Sequence, residues 1–181
     1  MSTPSLSLDV VAAALHEDSF WGHYLQQLQD TKSSAPALHL AILVNPYLER
    51  ILSGRKTIES RFSMQRRAPY QQIQSDDIVL FKRSGGPILG IGLVDEVMFY
   101  QLTPAVLMDI QTTYAAELGI DDPNFWSERA HAAYGTLTRV SHVRRLPPIP
   151  FVKRDQRAWI VLQNRVVQPQ LIPAHAYTTA D

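Results

Sequence analysis

The residues best suited to chemistry lie in one short segment. Gly54, Lys56, Glu59 and Arg61 give the pattern G-x-K-x-x-E-x-R. On a β-strand, residues two apart share a face, so Glu59 can form an ion pair that orients the planar fork of Arg61 toward a phosphate or a base edge. Lys56 can hold a phosphate through its ammonium or, with a lowered pKa, act as an acid or base. A surface lysine and a purely structural ion pair are the alternative interpretation.

The sequence before this segment predicts a strand and a helix that would position it. Residues 38–44 (LHLAILV) are apolar and rich in branched side chains, which is typical of a buried strand. Asn45 can cap the helix that follows, and Pro46 suits its first position. Gly54 is placed to end this helix, predicted over 46–53, in the left-handed conformation.

The segment itself predicts a strand over residues 57–62. Alternation along that strand would place Thr57, Glu59 and Arg61 on one face. Two opposite charges would therefore stand side by side, with a hydroxyl nearby.

Further short strands and helices are predicted around this unit. Strands are expected over 78–82, 88–97, 137–143 and 158–162, with a hairpin turn at 84–87. Helical periodicity appears over 7–29, as one long or two short helices, and between 104 and 134, where Pro123 breaks the run. The polar stretch 30–37 resembles a linker. Short strands around a few helices indicate an α+β fold.

The motif and its setting on strand, helix, turn and strand resemble the ASCH family, whose members have a PUA-like barrel. Segments 38–44 and 47–52, IQSDDIVLF, GIGLVDEV and 146–162 are also similar to the family, so the likeness spans roughly residues 37–163. The resemblance implies a mainly antiparallel, PUA-like β-barrel with flanking helices and an extra N-terminal helical segment. The family often has Gly-Asp where this chain has Asp76 and Asp77, so we expect a different turn there.

This organisation gives three expected parts. They are an N-terminal helical extension (1–34), an ASCH/PUA-like barrel (35–165) and a C-terminal tail (166–181). Phe20, Trp21 and Tyr24 in the extension could cover a protein partner or the open flank of the barrel itself.

The resemblance implies a cleft that binds single-stranded RNA or a modified nucleoside. The expected ligand contacts are Tyr47, Lys56, Glu59, Arg61, Lys82 and Arg83. Tyr47 and Tyr70 are candidate stacking faces for a base, whereas Phe81 and Trp159 lie in apolar strands and are expected in the core. Basic loop residues would form a rim along a sugar-phosphate backbone or serve solubility alone: Arg66, Arg67, Lys82, Arg83, Lys153 and Arg154.

The alternative is a hydrolase of the same fold, in which Lys56 is the acid or base and Glu59 its partner. Thr57 or Tyr47 would assist. Some small members of the family resemble amidohydrolases of N4-acetylcytidine that use a threonine three residues after the motif lysine. Glu59 occupies that position here. A ribonuclease is therefore favoured over an amidohydrolase.

Composition excludes several other classes. Seventeen basic and seventeen acidic side chains give no net charge, so affinity for phosphate must come from a local cluster. The absence of cysteine excludes disulfides, thiolate zinc sites and a cysteine nucleophile. The six histidines lack ligand spacing, so we expect no metal or cofactor, although His142 could serve as a base. No long apolar run or secretion signal is visible, and we expect a cytoplasmic protein.

Overall fold

A curled six-stranded sheet with helices packed against it carries the fold. The computed structural model describes residues 6, 8–31, 34–152 and 156–166. The helices are α1 (Leu8–Ala14), α2 (Trp21–Asp30), α3 (Tyr47–Leu52), α4 (Pro104–Thr113) and α5 (Ala115–Leu118). The strands are β1 (Leu38–Leu43), β2 (Ile58–Ser63), β3 (Ile78–Arg83), β4 (Ile88–Gln101), β5 (Tyr134–Ile149) and β6 (Trp159–Gln163).

The strand order is β2-β5-β4-β3-β1-β6. Among these strands only β1 and β3 pair in parallel, and every other neighbouring pair is antiparallel. The sheet curls into a half-barrel, so that Arg61 on the edge strand β2 reaches across to β1, where its Nη2 donates to the carbonyl of Ile42 at 3.0 Å. The predicted α+β, mainly antiparallel PUA-like fold is confirmed.

Strands β4 and β5 are longer than the sequence predicted. They contain 14 and 16 residues, and they pair over almost their whole length with three shifts of register. Their outer halves are partly exposed, so they lack the apolar pattern by which a strand is recognised. The predicted helical stretch 104–134 is also interrupted, because Gly119 adopts a left-handed conformation (φ 57°) directly after α5.

Helix α3 differs from its prediction at both ends. It spans Tyr47–Leu52, with Pro46 in the N-cap position and no capping hydrogen bond from a side chain, so the predicted cap by Asn45 is wrong. Gly54 has φ 75°, and the expected left-handed turn is confirmed. Asp76, where the family often has glycine, has φ 68°, a conformation that aspartate tolerates better than most residues.

Helices α1 and α2 pack onto the sheet in one hydrophobic core with strand residues such as Leu40. Trp21 Nε1 donates to the carbonyl of His142 at 2.6 Å, and the ring of Phe20 stacks on His142 with centroids 3.6 Å apart. Asp18 pairs with Arg144 at 2.6 Å. The aromatic face of the extension therefore covers the protein's own sheet, and His142 is engaged there.

Two further observations concern the ends of the chain. Val166 bridges to Ala35, and residues 167–181, most of the predicted tail, lie outside the described residues. In the described part of the chain, no helix has both the length and the apolar character needed to span a membrane.

Candidate ligand cleft

The motif segment connects α3 to β2 through a turn that is fixed by backbone hydrogen bonds. Gly54 turns the chain at the end of α3, and the N–H of Lys56 then donates to the carbonyl of Arg50 at 3.0 Å. The N–H of Thr57 donates to the carbonyl of Glu117 in α5, also at 3.0 Å. The turn therefore holds Lys56 between two helices, directly before the strand begins.

Glu59 lies between two cations. Its Oε2 is 3.6 Å from Lys56 Nζ, and its Oε1 is 2.9 Å from Arg61 Nη2. Lys56 Nζ also donates to the carbonyl of Leu118 at 2.8 Å. The side chains of Lys56 and Glu59 are only 3% and 7% exposed, so these charges interact in a region of low dielectric constant. The predicted pair of Glu59 and Arg61 is confirmed, and Lys56 joins it.

Burial is the main influence on Lys56, and it lowers the pKa of the ammonium below its ordinary value. The Glu59 carboxylate opposes this effect and raises the pKa, whereas the nearby Arg61 lowers it further. A buried lysine with a lowered pKa gives up its proton more readily than a surface lysine does, as acid–base chemistry requires.

Arg61 has an incomplete set of partners. Nη2 binds Glu59 and the Ile42 carbonyl, but Nε is buried and has no hydrogen-bond partner among the described residues. The guanidinium lies over the ring of Trp159, 5.3 Å from its centroid. Buried donors without partners are rare in folded proteins. This N–H therefore lacks an acceptor that the described residues could supply.

A cleft of about 150 Å³ opens above these charges. Lys56, Glu59 and Arg61 line it together with Tyr47, and the far wall comes from the segment after α5. The lining residues on that wall are Ile120, Phe125 and Arg129.

Arg129 and Phe125 are cleft residues that the sequence did not reveal. The guanidinium carbon of Arg129 lies 3.5 Å from the centroid of the Phe125 ring, and Arg129 Nη1 donates to the Phe125 carbonyl at 2.7 Å. Arg50 on α3 ties the segment down through Asp121 at 2.9 Å. No motif marks these residues, because they lie more than 60 positions from the strand that they face.

Tyr47 lies beside the charges, as predicted, but its ring already has neighbours. Lys56 Nζ is 5.9 Å and the Arg50 guanidinium carbon 5.8 Å from the ring centroid, and Phe125 meets the ring edge-on at 6.2 Å. Burial, the largest influence, raises the pKa of the Tyr47 hydroxyl. The hydroxyl therefore keeps its proton at neutral pH.

Thr57 continues the pairing of β2 with β5, because its carbonyl accepts from the N–H of Val140 at 2.9 Å. It therefore lies on the side of the strand that carries Glu59 and Arg61, as predicted, but it is absent from the described lining of the cleft. It precedes β2 and lines a different cavity, with Val140 and His142. Lys56 lines that cavity as well as the cleft.

The predicted basic rim is only partly assembled. Lys82 lies in β3 rather than in a loop, and its buried ammonium donates to the carbonyls of Arg83 and Gly86 in the hairpin turn. Arg83 ends the same strand and is exposed. Arg66 lies over the ring of Tyr134, 5.3 Å from its centroid. Lys153 and Arg154 lie outside the described residues.

The aromatic predictions had mixed outcomes. Phe81 and Trp159 are buried, as expected. Tyr70 is also buried, packed against the ring of Tyr134 with centroids 5.0 Å apart, so it offers less of a stacking face than the sequence suggested. The difference arises because Tyr70 faces the gap between β2 and β6 rather than solvent.

A buried hydrogen-bond chain holds Trp159 beneath Arg61. Trp159 Nε1 donates to His39 Nδ1 at 3.1 Å, and because an indole can only donate, His39 carries its proton on Nε2 and donates it to Asp77 at 3.3 Å. Burial raises the pKa of Asp77, but hydrogen bonds, first from His39 and then from Gln74, Ala37 and Arg165, outweigh burial and lower the pKa. This chain fixes the ring on which Arg61 rests.

Comparison with known proteins identifies the family. The family model described as the ASCH domain matches residues 42–141, more than half of the chain, including α3 and the G-x-K-x-x-E-x-R segment. The chain belongs to the ASCH domain family. The membership predicted from the motif is therefore confirmed, and this ASCH protein places its motif residues around the cleft described above.

Solved structures confirm the ASCH fold. ASCH from Zymomonas mobilis is 15% identical, with a TM-score of 0.51, covering 62% of this chain and 72% of that chain. A serine-to-alanine mutant of the Zymomonas mobilis protein is 13% identical, with a TM-score of 0.57, covering 70% of this chain and 88% of the other. At these identities the likeness is one of fold. No curated protein matches the sequence.

Proposed function

We propose that the cleft binds single-stranded RNA or a modified nucleoside, with Arg61, Lys56 and Arg129 facing the phosphate or base edge. The observation that carries the proposal is the charge of the cleft. Three cations line it, and Glu59 is the one carboxylate among its described lining residues. Because the cations are partly desolvated, an anionic or strongly polar ligand would compensate their charge and accept their hydrogen bonds.

The walls favour a nucleotide over a simple anion. Tyr47 presents aromatic surface next to the cations, and aromatic faces support bases of any sequence. The volume of about 150 Å³ is below the usual range for a whole small-molecule ligand, about 300–1,000 Å³. The cleft therefore suits one base or one phosphate of a larger ligand. Membership of the ASCH family, whose fold resembles that of RNA-binding proteins, supports the same ligand class.

A matched pair of arginine variants tests the proposal. Arg129 lines the cleft, whereas Arg139 pairs with Glu96 and Glu117 and is absent from the described lining; their side chains are 32% and 29% exposed. Fluorescence anisotropy with labelled unstructured RNA, at about 50 and 200 mM salt, measures both. We expect Arg129→Gln to weaken binding about tenfold and to reduce the salt slope by about one contact.

The control sets the limit of the claim. Arg139→Gln should leave RNA affinity close to that of the wild type. Absence of binding at both salt concentrations, or equal effects of the two substitutions, would remove the proposed function.

A ribonuclease activity at the same site is the second candidate, favoured by the lowered pKa of the buried Lys56. Its neutral amine could take the proton from a ribose 2′-hydroxyl, whose oxygen attacks the adjacent phosphorus to form a 2′,3′-cyclic phosphate. The bond from phosphorus to the 5′-oxygen breaks, and the Lys56 ammonium returns its proton to that oxygen. Amide cleavage is less well supported, because Glu59 stands three residues after Lys56, and Thr57 is absent from the described lining of the cleft. The test is to incubate unstructured RNA with the wild-type protein and with Lys56→Met, each with and without a chelator. RNA that stays intact in every reaction would reject the ribonuclease activity.

A further inference from the structure

A second and larger cavity lies on the other side of Arg61. It fills the gap between the edge strands β2 and β6 and measures about 590 Å³, well within the range of small-molecule sites. Phe62 and Ser63 form one wall, and Ala158 and Trp159 form the opposite wall. The G-x-K-x-x-E-x-R cleft holds only about a quarter of this volume.

This second cavity is also lined by positive charge. Arg61, Arg67 and Arg157 contribute to it, and none of its described lining residues is acidic. Arg66 stands beside the cavity, over the ring of Tyr134. With a neutral protein overall, three lining arginines are a local cluster that favours a ligand carrying phosphate.

The remaining lining residues have the chemistry that a base and a ribose need. Tyr134 supplies aromatic surface, next to the buried rings of Tyr70 and Trp159. Hydroxyl and amide groups that can donate and accept hydrogen bonds stand between them, on Ser63, Thr136, Gln72 and Gln156. Aromatic, amide and guanidinium groups in one cavity of this size match a nucleotide.

Arg61 links the two cavities because its side chain lines both. On one side Nη2 is held by Glu59 and the Ile42 carbonyl, whereas Nε has no partner in the described part of the chain. A third cavity, about 550 Å³ in volume, shares Ile42 and Val44 with the cleft and Ala158 with the larger cavity. These shared residues place the three cavities next to one another around Arg61.

We propose that the larger cavity binds a second nucleotide of the same RNA strand, so that the ligand is an oligonucleotide rather than a free nucleoside. This inference rests on the proposed function of the cleft. One base or phosphate occupies the small cleft, the next nucleotide enters the gap between β2 and β6, and Arg61 contacts the strand where it passes between them.

The test compares a ribonucleoside monophosphate with a diribonucleotide by calorimetric titration. Arg67 lines the larger cavity and is exposed, with its guanidinium bonded to Gln65 two residues before it. Arg55 is equally exposed and bonded to Ser53 two residues before it, but it is absent from the described linings of both cavities. Arg67→Gln and Arg55→Gln are therefore a matched pair in which neither substitution disturbs the core.

We expect the diribonucleotide to bind about tenfold more tightly than the monophosphate, since it gains at least one charged hydrogen bond. Arg67→Gln should remove most of this advantage and leave the monophosphate unaffected, and Arg55→Gln should change neither. Equal affinities that are insensitive to Arg67→Gln would overturn the inference and leave the proposed function intact.

Two other results would separate the claims. If Arg67→Gln weakens the monophosphate while Arg129→Gln does not, nucleotides bind in the larger cavity alone, and both the two-site inference and the role of the cleft fall. If neither nucleotide binds, the proposed function and the inference fail together.

Discussion

Replacing Glu59 with glutamine removes the negative charge that two buried or half-buried cations share. Glu59 Oε1 lies 2.9 Å from Arg61 Nη2, and Oε2 lies 3.6 Å from Lys56 Nζ. Glutamine has nearly the same shape, so packing is preserved and the charge is the main change. After the substitution, Lys56 keeps the Leu118 carbonyl and Arg61 keeps the Ile42 carbonyl as acceptors.

The expected loss of stability is about 2–3 kcal/mol. Breaking a fully buried ion pair costs about 3–5 kcal/mol, and a hydrogen bond to a charged group contributes about 1.5–3 kcal/mol. The lower figure applies because the Arg61 side chain is 20% exposed and the glutamine oxygen can still accept from it. For a chain of this size the loss corresponds to a fall in Tm of about 5–10 °C.

The stability loss caused by Glu59→Gln should also depend on pH in a definite direction. Burial lowers the pKa of Lys56, and removing the Glu59 carboxylate, which raises that pKa, lowers it further. Between the folded pKa and the ordinary value of 10.5, the unfolded chain binds more protons than the folded protein, so the free energy of unfolding rises with pH. The deficit of Glu59→Gln is therefore full below the folded pKa of Lys56 in the variant, and it narrows as the pH rises from that value to the higher folded pKa of the wild type.

Chemical denaturation followed by tryptophan fluorescence measures both effects. Glu96→Gln is the matched control, because Glu96 accepts from Arg139 at 3.2 Å on a neighbouring strand but is 55% exposed. Exposed pairs of this kind contribute about 0–1 kcal/mol. If Glu59→Gln costs no more than Glu96→Gln, or if its deficit widens at alkaline pH, the account of the buried charge network is wrong.

Two further predictions concern the support of the cleft. Asp77→Asn should lower the free energy of unfolding by about 3 kcal/mol at neutral pH, because it weakens the acceptor of His39. The pKa of Asp77 is lowered in the folded state, so this loss should disappear as the pH falls below 3.8 and through the folded pKa. Urea titrations at several pH values measure it. Gly54→Ala should cost about 1 kcal/mol from backbone strain at φ 75° alone, because an added Cβ meets no atom within 4 Å. Thermal unfolding should show a smaller loss for Gly54→Asn, and equal losses would refute the conformational explanation.

The local parts of the cleft could be predicted from the sequence because they depend on neighbours in the chain. The two-residue period of a strand put Glu59 and Arg61 on one face, and the left-handed preference of glycine put the turn at Gly54. The motif in this setting was enough to identify the ASCH family. The same period placed Thr57 on their side, but it could not show that Thr57 lines a different cavity.

The surroundings of those residues were decided by the tertiary structure. Arg129 faces Arg61 across the cleft, and Trp159 lies under it, although both are far along the chain. The curl of the sheet brings β6 toward β2 and creates the cavity between them. The side chain of Lys82 is buried, and its ammonium binds carbonyls of the hairpin turn. Local patterns record which side of an element is apolar, but not which distant element will meet it, because that choice depends on how the whole sheet twists and closes.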